Sequence, residues 1–238
     1  FFSPSLLFSQ LNSIVYSVPL DKFNLVGLTR NDNLVQPYKC PQLDKLISDS
    51  VDYPVRNIFL YTPTHRDYEF HGGESRYVMG YPLDNKRIEE FLSSNNAIII
   101  IKLHSHQNAK VISKEMPKGV ILHKSSQYFG LTELLQKADY LITDYTSAYY
   151  DFLIMDRPVL FNFYDYEKYV ATRGFSFNPI ESLWAGEQFT NQDQMIEKMK
   201  LVMKKDTFKE QRKFVRNLIF KYIDSKTCER VYNTVFND

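Results

Sequence analysis

Short apolar runs alternate with helical patterns along most of this chain, from about residue 57 onward. The most informative run is AIIII at 97–101, because an unbroken β-branched run is typical of a strand buried on both faces. Strands of that kind belong to parallel sheets, whose crossover helices cover the sheet above and below. The alternation therefore predicts an α/β fold with a doubly wound, Rossmann-like parallel sheet.

The predicted elements are short, and their pattern continues nearly to the end of the chain. Strands are predicted at 57–61, 97–101, 119–122, 140–143 and 158–163. Helices are predicted at 83–95, 131–138 and 147–155, with a further helical pattern from residue 191. Asp84 is the expected N-cap of the first helix. We assign residues 37–238 to this domain and interpret residues 1–36, which are apolar but poorly periodic, as the tail of a preceding domain.

The composition is that of an ordinary soluble globular domain, with 44% apolar and 24% charged residues. A net charge of +1 gives no indication of a nucleic-acid partner. Two cysteines, Cys40 and Cys228, form neither a disulfide framework nor a metal spacing, which favours a reducing compartment. No run approaches the roughly 20 apolar residues of a membrane helix, and the first residues do not resemble a signal peptide. The missing initial Met indicates a fragment of a longer protein.

The densest stretch is 139–165, where a predicted strand ends at Thr143 and a helical pattern follows at once. Ligands of open parallel sheets bind beyond the carboxyl ends of the strands. Asp144, Thr146 and Ser147 lie at such an end, and either hydroxyl residue is placed to cap the next helix. The first-turn amides and the two hydroxyls would make an anion site suited to phosphate. A plain N-cap, with Asp144 holding the turn, is the alternative.

Other strand ends carry further candidates for binding phosphate. His104 follows the isoleucine-rich strand, where a histidine can donate to a phosphate oxygen or act as an acid, although a structural histidine is the alternative. Arg66 follows the first predicted strand and has the fork geometry that binds phosphate, with an ion pair to Asp67 or a solvated loop as the alternative. Arg173 and Gly174 come after a Tyr-rich segment that follows the last predicted strand.

Phosphate-binding groups after several strands of one sheet favour a nucleotide or sugar-phosphate site. The sequence has neither a Gly-rich P-loop nor a G-x-G-x-x-G fingerprint, which argues against kinase-like and NAD-dependent enzymes. The acidic residues show no metal-binding spacing. We therefore predict a phosphate-binding site without a metal ion or a cofactor.

Several segments resemble the CDP-glycerol glycerophosphotransferase family, which comprises the teichoic-acid and capsule polymerases. They are VGLTRNDNL, LYTPTHRD, IIIKLHSH and ADYLITDYTSAYYDFLIMDRPVLFNFYDYEKYVATRGFSF. The resemblance covers about residues 25–200, and the block 139–177 is its most specific part. The chain departs from the family pattern at 102–105, where it has KLHS instead of Arg-Leu-His-Pro. It also lacks the Pro-Gly-Pro that usually follows the R-G-F segment.

The resemblance implies that this chain is the C-terminal, nucleotide-binding domain of a two-domain transferase of the GT-B type. It implies that His104, Asp144, Thr146 and Ser147 surround the pyrophosphate of CDP-glycerol or CDP-ribitol, with His104 catalytic. The implied reaction transfers glycerol phosphate or ribitol phosphate to a growing, membrane-anchored polymer and releases CMP. The base would come from the N-terminal domain, so the chain alone is expected to be inactive. The alternatives are a GT-B glycosyltransferase that uses a UDP-sugar and a nucleotide-binding module without activity.

The span 198–226 is strongly basic, because its ten Lys or Arg and three acidic residues give a net charge of +7. We expect its apolar residues to pack against the sheet and to leave a basic face outward. Those apolar residues are Leu201, Phe208, Val215, Leu218 and Ile219. The basic face would contact an anionic membrane surface, and it predicts a cytoplasmic protein held peripherally at the inner face of the cell membrane. A solvated helix face is the alternative.

Overall fold

Six strands pair in parallel within the residues that the computed structural model describes, which are 1–64, 79–103, 116–123 and 129–236. They are β3 (Asn57–Thr62), β4 (Ala97–Ile101), β5 (Val120–Leu122), β6 (Tyr140–Thr143), β7 (Val159–Asn162) and β8 (Glu187–Phe189). Outside this sheet, β1 (Phe2–Ser3) pairs with β2 (Asn24–Leu25). The sheet order is β5–β4–β3–β6–β7–β8, so the chain builds outward from β3 on one side and then returns to its other side. The predicted doubly wound parallel sheet is confirmed.

Helices connect the strands and cover both faces of the sheet. They are α1 (Leu6–Tyr16), α2 (Pro41–Asp49), α3 (Asn85–Ser94), α4 (Leu131–Lys137), α5 (Ala148–Leu153), α6 (Tyr166–Thr172), α7 (Gln192–Lys204), α8 (Lys209–Ile219) and α9 (Thr227–Phe236). Short 3₁₀ helices lie at Leu20–Lys22, Thr29–Val35 and Ile180–Leu183.

Alternate residues of the central strands enter two different hydrophobic cores. Ile58 and Leu60 of β3 pack into the core that also contains residues of α2, α4, α5 and α8. Phe59 and Tyr61 of the same strand point into the second core, with residues of α3 and α7. All five residues of β4 are buried. The sheet is thus covered on both faces, as the unbroken apolar run of β4 predicts.

The predicted strands and helices match the structure to within one or two residues at most ends. Asp84 caps α3 as expected, because its carboxylate accepts a hydrogen bond from the Arg87 amide at 3.1 Å. The helices α1, α2 and α6 and the strands β1, β2 and β8 were not predicted. The assignment of residues 1–36 to a preceding domain stays a prediction.

The N-terminal segment and the last helix are joined by a buried carboxylate. Asp32 accepts hydrogen bonds from the amides of Thr227 and Cys228 at 3.0 and 2.9 Å, so it caps the beginning of α9. The chain approaches closely there, because a Cβ on Gly27 would lie 2.7 Å from the Thr227 hydroxyl oxygen. The φ angle of Gly27 is +108°, which a residue with a side chain rarely adopts. Glycine is therefore required at this crossing.

The basic span 198–226 is less exposed than its charge suggests. Val215 and Ile219 are buried, as expected. Leu218 is 38% exposed, which corrects the expectation that it packs against the sheet, and Arg212 is fully buried, which corrects the expectation that the basic residues all face outward. Its guanidinium contacts the carboxylates of Asp156 at 3.1 Å and Asp206 at 2.6 Å. A buried cation needs such partners, because desolvation without them costs several kcal/mol.

Among the described residues, none of the helices has the length and apolar character that crossing a membrane requires.

The Asp32 cap predicts a specific loss of stability. Burial raises the pKa of Asp32, but the hydrogen bonds from Cys228 and Thr227 outweigh burial and leave the pKa below its usual value. Asp32→Ala is expected to lower the free energy of unfolding by about 1 kcal/mol at neutral pH, as other N-cap replacements do. A carboxylate whose pKa is lower in the folded than in the unfolded chain stabilises the fold fully only above its pKa in the unfolded chain, which is about 4 for Asp. The loss of stability in Asp32→Ala should therefore shrink as the pH falls below about 4. Urea unfolding of parent and variant across pH measures both effects.

Asp21→Ala is the matched control, since Asp21 is exposed. Equal stability of Asp32→Ala and Asp21→Ala at neutral pH would contradict the capping role.

Candidate functional site

The reversal of strand order between β3 and β6 places their carboxyl ends side by side. Open α/β sheets bind ligands in the crevice at such a switch point. The last paired residues are Thr62 and Thr143, which face each other in the register of the two strands. Their side chains are also joined, because the Thr62 hydroxyl donates to the Thr143 hydroxyl at 3.3 Å, and the Thr143 hydroxyl donates in turn to the Thr62 carbonyl at 3.1 Å. The candidate site therefore begins where this pairing ends.

Asp144 is the first residue beyond β6, and its carboxylate is buried at 2% exposure. It accepts the Thr64 amide at 2.9 and 3.0 Å and the Thr64 hydroxyl at 2.6 Å. It also accepts the amide of Tyr145 at 2.6 Å. Asp144 thus links the chain that leaves β3 to the turn that follows β6, although these residues are 80 positions apart in the sequence.

Thr146 and Ser147 begin the turn that leads into α5. The Thr146 hydroxyl accepts from the Ala148 amide at 3.4 Å, whereas the Ser147 side chain makes no capping hydrogen bond. The next two amides, of Tyr149 and Tyr150, donate to the carbonyls of Thr146 and Ser147. Of the two candidates, Thr146 therefore supplies the side-chain hydrogen bond to a first-turn amide, whereas Ser147 occupies the N-cap position without one. The expected cluster of free first-turn amides is largely used within the turn, while the Ser147 side chain is exposed.

The helix α5 has only six residues, and tertiary contacts hold it in place. Tyr149 is buried, and its hydroxyl donates to the Leu183 carbonyl at 2.6 Å and accepts from the Ala185 amide at 3.0 Å. On another side, the Arg30 guanidinium contacts both carboxylate oxygens of Asp151, at 3.0 and 3.1 Å. Burial raises the pKa of Asp151, and Arg30 opposes that shift. The position of α5 is thus set by residues distant in sequence.

An aromatic cluster lies beside the turn and was not predicted. Tyr145 stacks on Phe163 with ring centres 5.3 Å apart and on Tyr169 with ring centres 3.9 Å apart. Its hydroxyl donates to Asp165 at 3.2 Å. Phe175 meets the same ring edge-on at 5.7 Å. The Tyr-rich segment from 164 to 169 was the available signal, but periodicity alone does not show that these rings meet.

Arg173 and Gly174 lie at the end of α6. Gly174 has a φ of +63° and donates its amide to the Tyr169 carbonyl at 3.2 Å, so it ends the helix in the left-handed conformation. The chain then turns back, and Phe175 packs on Tyr145. Arg173 is exposed. The structure therefore brings the R-G-F segment next to the turn after β6, and it explains Gly174 by its backbone conformation.

Two sequence-predicted site residues, Arg66 and His104, lie outside the described residues. The described part of the chain does contain a histidine at a strand end that sequence reasoning missed, His123 after β5. It is buried, and its Nε2 lies 3.0 Å from the Phe129 carbonyl. Burial lowers the pKa of His123, which favours a neutral ring that donates to this carbonyl.

Among the residues with described positions, no three His, Cys, Asp or Glu side chains lie close enough together to hold a metal ion.

The anchoring of α5 predicts an asymmetry between two adjacent tyrosines. Tyr149→Phe removes a buried hydroxyl with two hydrogen-bond partners, so it is expected to lower the free energy of unfolding by about 1–3 kcal/mol. Tyr150→Phe is the matched control, because no hydrogen bond of the Tyr150 hydroxyl is found among the described residues, and it should change stability by less than about 0.5 kcal/mol. Chemical unfolding of the two variants measures the difference. Equal losses would contradict the anchoring of α5 through Tyr149.

Comparisons with known proteins connect this geometry to a family. The family model for CDP-glycerol:poly(glycerophosphate) glycerophosphotransferases matches residues 1–237. The teichoic acid ribitol-phosphate polymerase TarK of Staphylococcus aureus is 25% identical over 224 residues, which cover 88% of this chain and 40% of TarK. The teichoic acid poly(glycerol phosphate) polymerase of Bacillus subtilis is 30% identical over 217 residues, covering 88% of this chain and 28% of that protein.

Solved structures show the same fold. The wall teichoic acid polymerase TagF aligns with a TM-score of 0.79 and 23% identity, over 100% of this chain and 57% of the TagF chain. A UDP-GlcNAc 2-epimerase from Neisseria meningitidis aligns with a TM-score of 0.54 and 17% identity, over 100% of this chain and 61% of that chain. The chain thus spans less than two thirds of each of these proteins. Since the family model covers nearly every residue, the chain belongs to the CDP-glycerol:poly(glycerophosphate) glycerophosphotransferase family.

Proposed function

We propose that this chain is the donor-binding part of a transferase that moves glycerol phosphate or ribitol phosphate from a CDP-alditol to a growing teichoic acid. The observation that carries the proposal is the match of the family model to residues 1–237. The structure supports a location for the donor, because the β3–β6 switch point is where an open parallel sheet accepts a nucleotide. The relatives are longer than this chain, so the complete reaction requires more protein than these 238 residues.

In the proposed reaction, a terminal hydroxyl of the polymer attacks the β-phosphorus of the CDP-alditol. A new oxygen–phosphorus bond forms, the bond to the bridging oxygen breaks, and CMP leaves. Negative charge on the phosphoryl oxygens needs hydrogen-bond donors or cations that are already in place. A base must also take the proton of the attacking hydroxyl, and we assign that base to the domain that binds the acceptor.

Thr146 and Ser147 are the proposed donors to the pyrophosphate, because their hydroxyls lie at the start of α5 beside the switch point. Arg173 would add a positive charge, since the R-G-F segment packs next to this turn through Phe175. Arg66 and His104 complete the site by family resemblance, with His104 as the catalytic residue at the phosphoryl group. Asp144 and Gly174 belong to the same site through the chain that they hold in place.

Names of the relatives support a teichoic-acid polymer and leave two donors open. Curated relatives include both ribitol-phosphate and glycerol-phosphate polymerases. One matched TagF structure was soaked with CDPG, which supports a CDP-linked donor for the family fold. A UDP-sugar donor and a module that binds nucleotide without turnover are the alternatives that the following test addresses.

The proposal predicts that the chain binds CDP and CDP-glycerol more tightly than UDP, and that it makes no polymer alone. Ser147→Ala should weaken CDP binding by about tenfold, the effect of losing one hydrogen bond to a charged group. Its thermal stability should be unchanged, because the Ser147 side chain makes no capping hydrogen bond. Isothermal titration and thermal melts of the same samples separate binding from folding.

Ser225→Ala, at an exposed serine far along the chain, is the control for this measurement. Preference for UDP would favour the sugar transferase, and an unchanged affinity of Ser147→Ala would reject its contact with phosphate. Polymer synthesis by the chain alone would contradict the proposal that a second domain binds the acceptor and supplies the base.

We also propose that α8 holds the protein at an anionic membrane surface, where the polymer acceptor would be anchored. Phe214 and Leu218 lie one turn apart on this helix with exposures of 65% and 38%. Lys209, Lys213 and Lys221 are exposed near them in sequence. Apolar side chains bordered by lysines suit the interface of an anionic bilayer. This surface would place the protein peripherally at the cytoplasmic face.

The membrane proposal predicts salt-sensitive binding of the chain to vesicles that contain anionic lipid. Each surface lysine contributes about 1 kcal/mol near such a membrane, so replacing both Lys213 and Lys221 with Gln should weaken partitioning by about 30-fold. Lys86→Gln is the control, because α3 packs against the opposite face of the sheet. Co-sedimentation at low and high salt measures the effect. Vesicle binding that does not depend on lipid charge would contradict the membrane proposal. So would a loss of binding in Lys86→Gln equal to that of the double variant at Lys213 and Lys221.

A further inference from the structure

The contacts of Asp144 indicate how the two sides of the switch-point crevice are kept together. Backbone pairing between β3 and β6 ends at Thr62 and Thr143. Beyond that pair the chains would separate, because one leads toward β4 and the other into α5. The Asp144 carboxylate extends the connection by binding both the amide and the hydroxyl of Thr64.

The geometry of this carboxylate is that of a clamp. One oxygen, Oδ1, accepts three hydrogen bonds, from the Thr64 amide, the Thr64 hydroxyl and the Tyr145 amide, at 2.9, 2.6 and 2.6 Å. The other oxygen, Oδ2, lies 3.0 Å from the Thr64 amide. Hydrogen bonds to a charged acceptor are about twice as strong as those between neutral groups. The residue thereby fixes Thr64 on one side of the crevice and Tyr145 on the other.

The negative charge of the Asp144 carboxylate limits how this residue can contribute to the binding of a phosphorylated ligand. A carboxylate placed against a pyrophosphate would repel it, because like charges a few ångströms apart interact unfavourably, most of all away from water. Asp144 is 2% exposed and directs its oxygens to protein donors. Its effect on a phosphate must therefore pass through the residues that it holds.

We propose that Asp144 is a positioning residue, which sets the width of the crevice by tying Thr64 to the turn that carries Thr146 and Ser147. The proposal rests on the donor-binding function of this site. It assigns no direct contact between Asp144 and the donor. Tyr145 transmits the constraint to the turn, since its backbone is held by Asp144 and its ring by Phe163 and Tyr169.

Nucleotide titrations of single and double variants of this chain test the role. Asp144→Ala is expected to weaken the binding of CDP and of CDP-glycerol by the same factor, roughly tenfold or more, because both ligands use the pyrophosphate site that Asp144 holds in place. Asp144→Asn keeps one acceptor oxygen and should show a smaller loss. Thr64→Val removes only the hydroxyl. Adding it to Asp144→Ala should lower the nucleotide affinity little further, since both changes break the same contact. Thr64→Ser keeps the hydroxyl and should bind like the parent.

The alternatives give results of different sign or selectivity. Tighter CDP binding by Asp144→Asn would mean that the carboxylate faces the phosphate, and a loss confined to CDP-glycerol would mean that it contacts the alditol. Either result overturns the positioning role, as would fully additive effects of Thr64→Val and Asp144→Ala. If Asp144→Ala does not fold, the same cycle is measured with Asp144→Asn.

The parent chain separates this role from the function on which it rests. Failure of the parent to bind CDP would overturn both the proposed function and the positioning role. Normal binding by the parent together with unchanged affinity in both Asp144 variants would overturn the positioning role alone.

Discussion

Burial of both faces of the parallel sheet is the constraint on which the rest of the structure depends. The five residues of β4 are all buried, and β3 directs its side chains alternately into two cores. Each buried aliphatic side chain contributes about 1.5–3 kcal/mol, whereas an unpaired polar group there would be costly. Polar side chains therefore gather at the strand ends, where Thr62, Thr143 and Asp144 bond to one another or to the loops. The same constraint that builds the core locates the candidate site.

The turn that carries the hydroxyls depends on packing rather than on helix propensity. A six-residue helix is too short to be stable alone. The hydroxyl of Tyr149 fixes α5 to the segment before β8, and Asp151 fixes it to Arg30 near the beginning of the chain. The N-terminal segment thus contributes to the position of the candidate site, although it is far from that site in sequence. Changes in that segment would reach the crevice through this ion pair.

The sequence predicted what local pattern determines and missed what distant contacts determine. The isoleucine run of β4 and the cap at Asp84 follow from local chemistry, and both are confirmed. The edge strand Glu187–Phe189 has only three residues, two of them polar, so it has no apolar run to detect. The pattern did not show that the Thr146 side chain, rather than that of Ser147, accepts the first-turn amide, because both residue types fit the position.

Long-range partners explain the remaining differences. The contact between Asp144 and Thr64 joins residues 80 positions apart, and no spacing rule predicts it. Arg212 was expected at the surface, but two carboxylates make its burial tolerable. The proposed ligand rests on the family resemblance, and its proposed place rests on the switch point of the sheet.

The location of the donor can be tested with a crystal structure of this chain soaked with CDP-glycerol. We expect the pyrophosphate in the crevice between the ends of β3 and β6, within hydrogen-bond distance of the Thr146 or Ser147 hydroxyl and without a contact to the Asp144 carboxylate. A nucleotide bound elsewhere on the sheet, or a pyrophosphate distant from this turn, would contradict it.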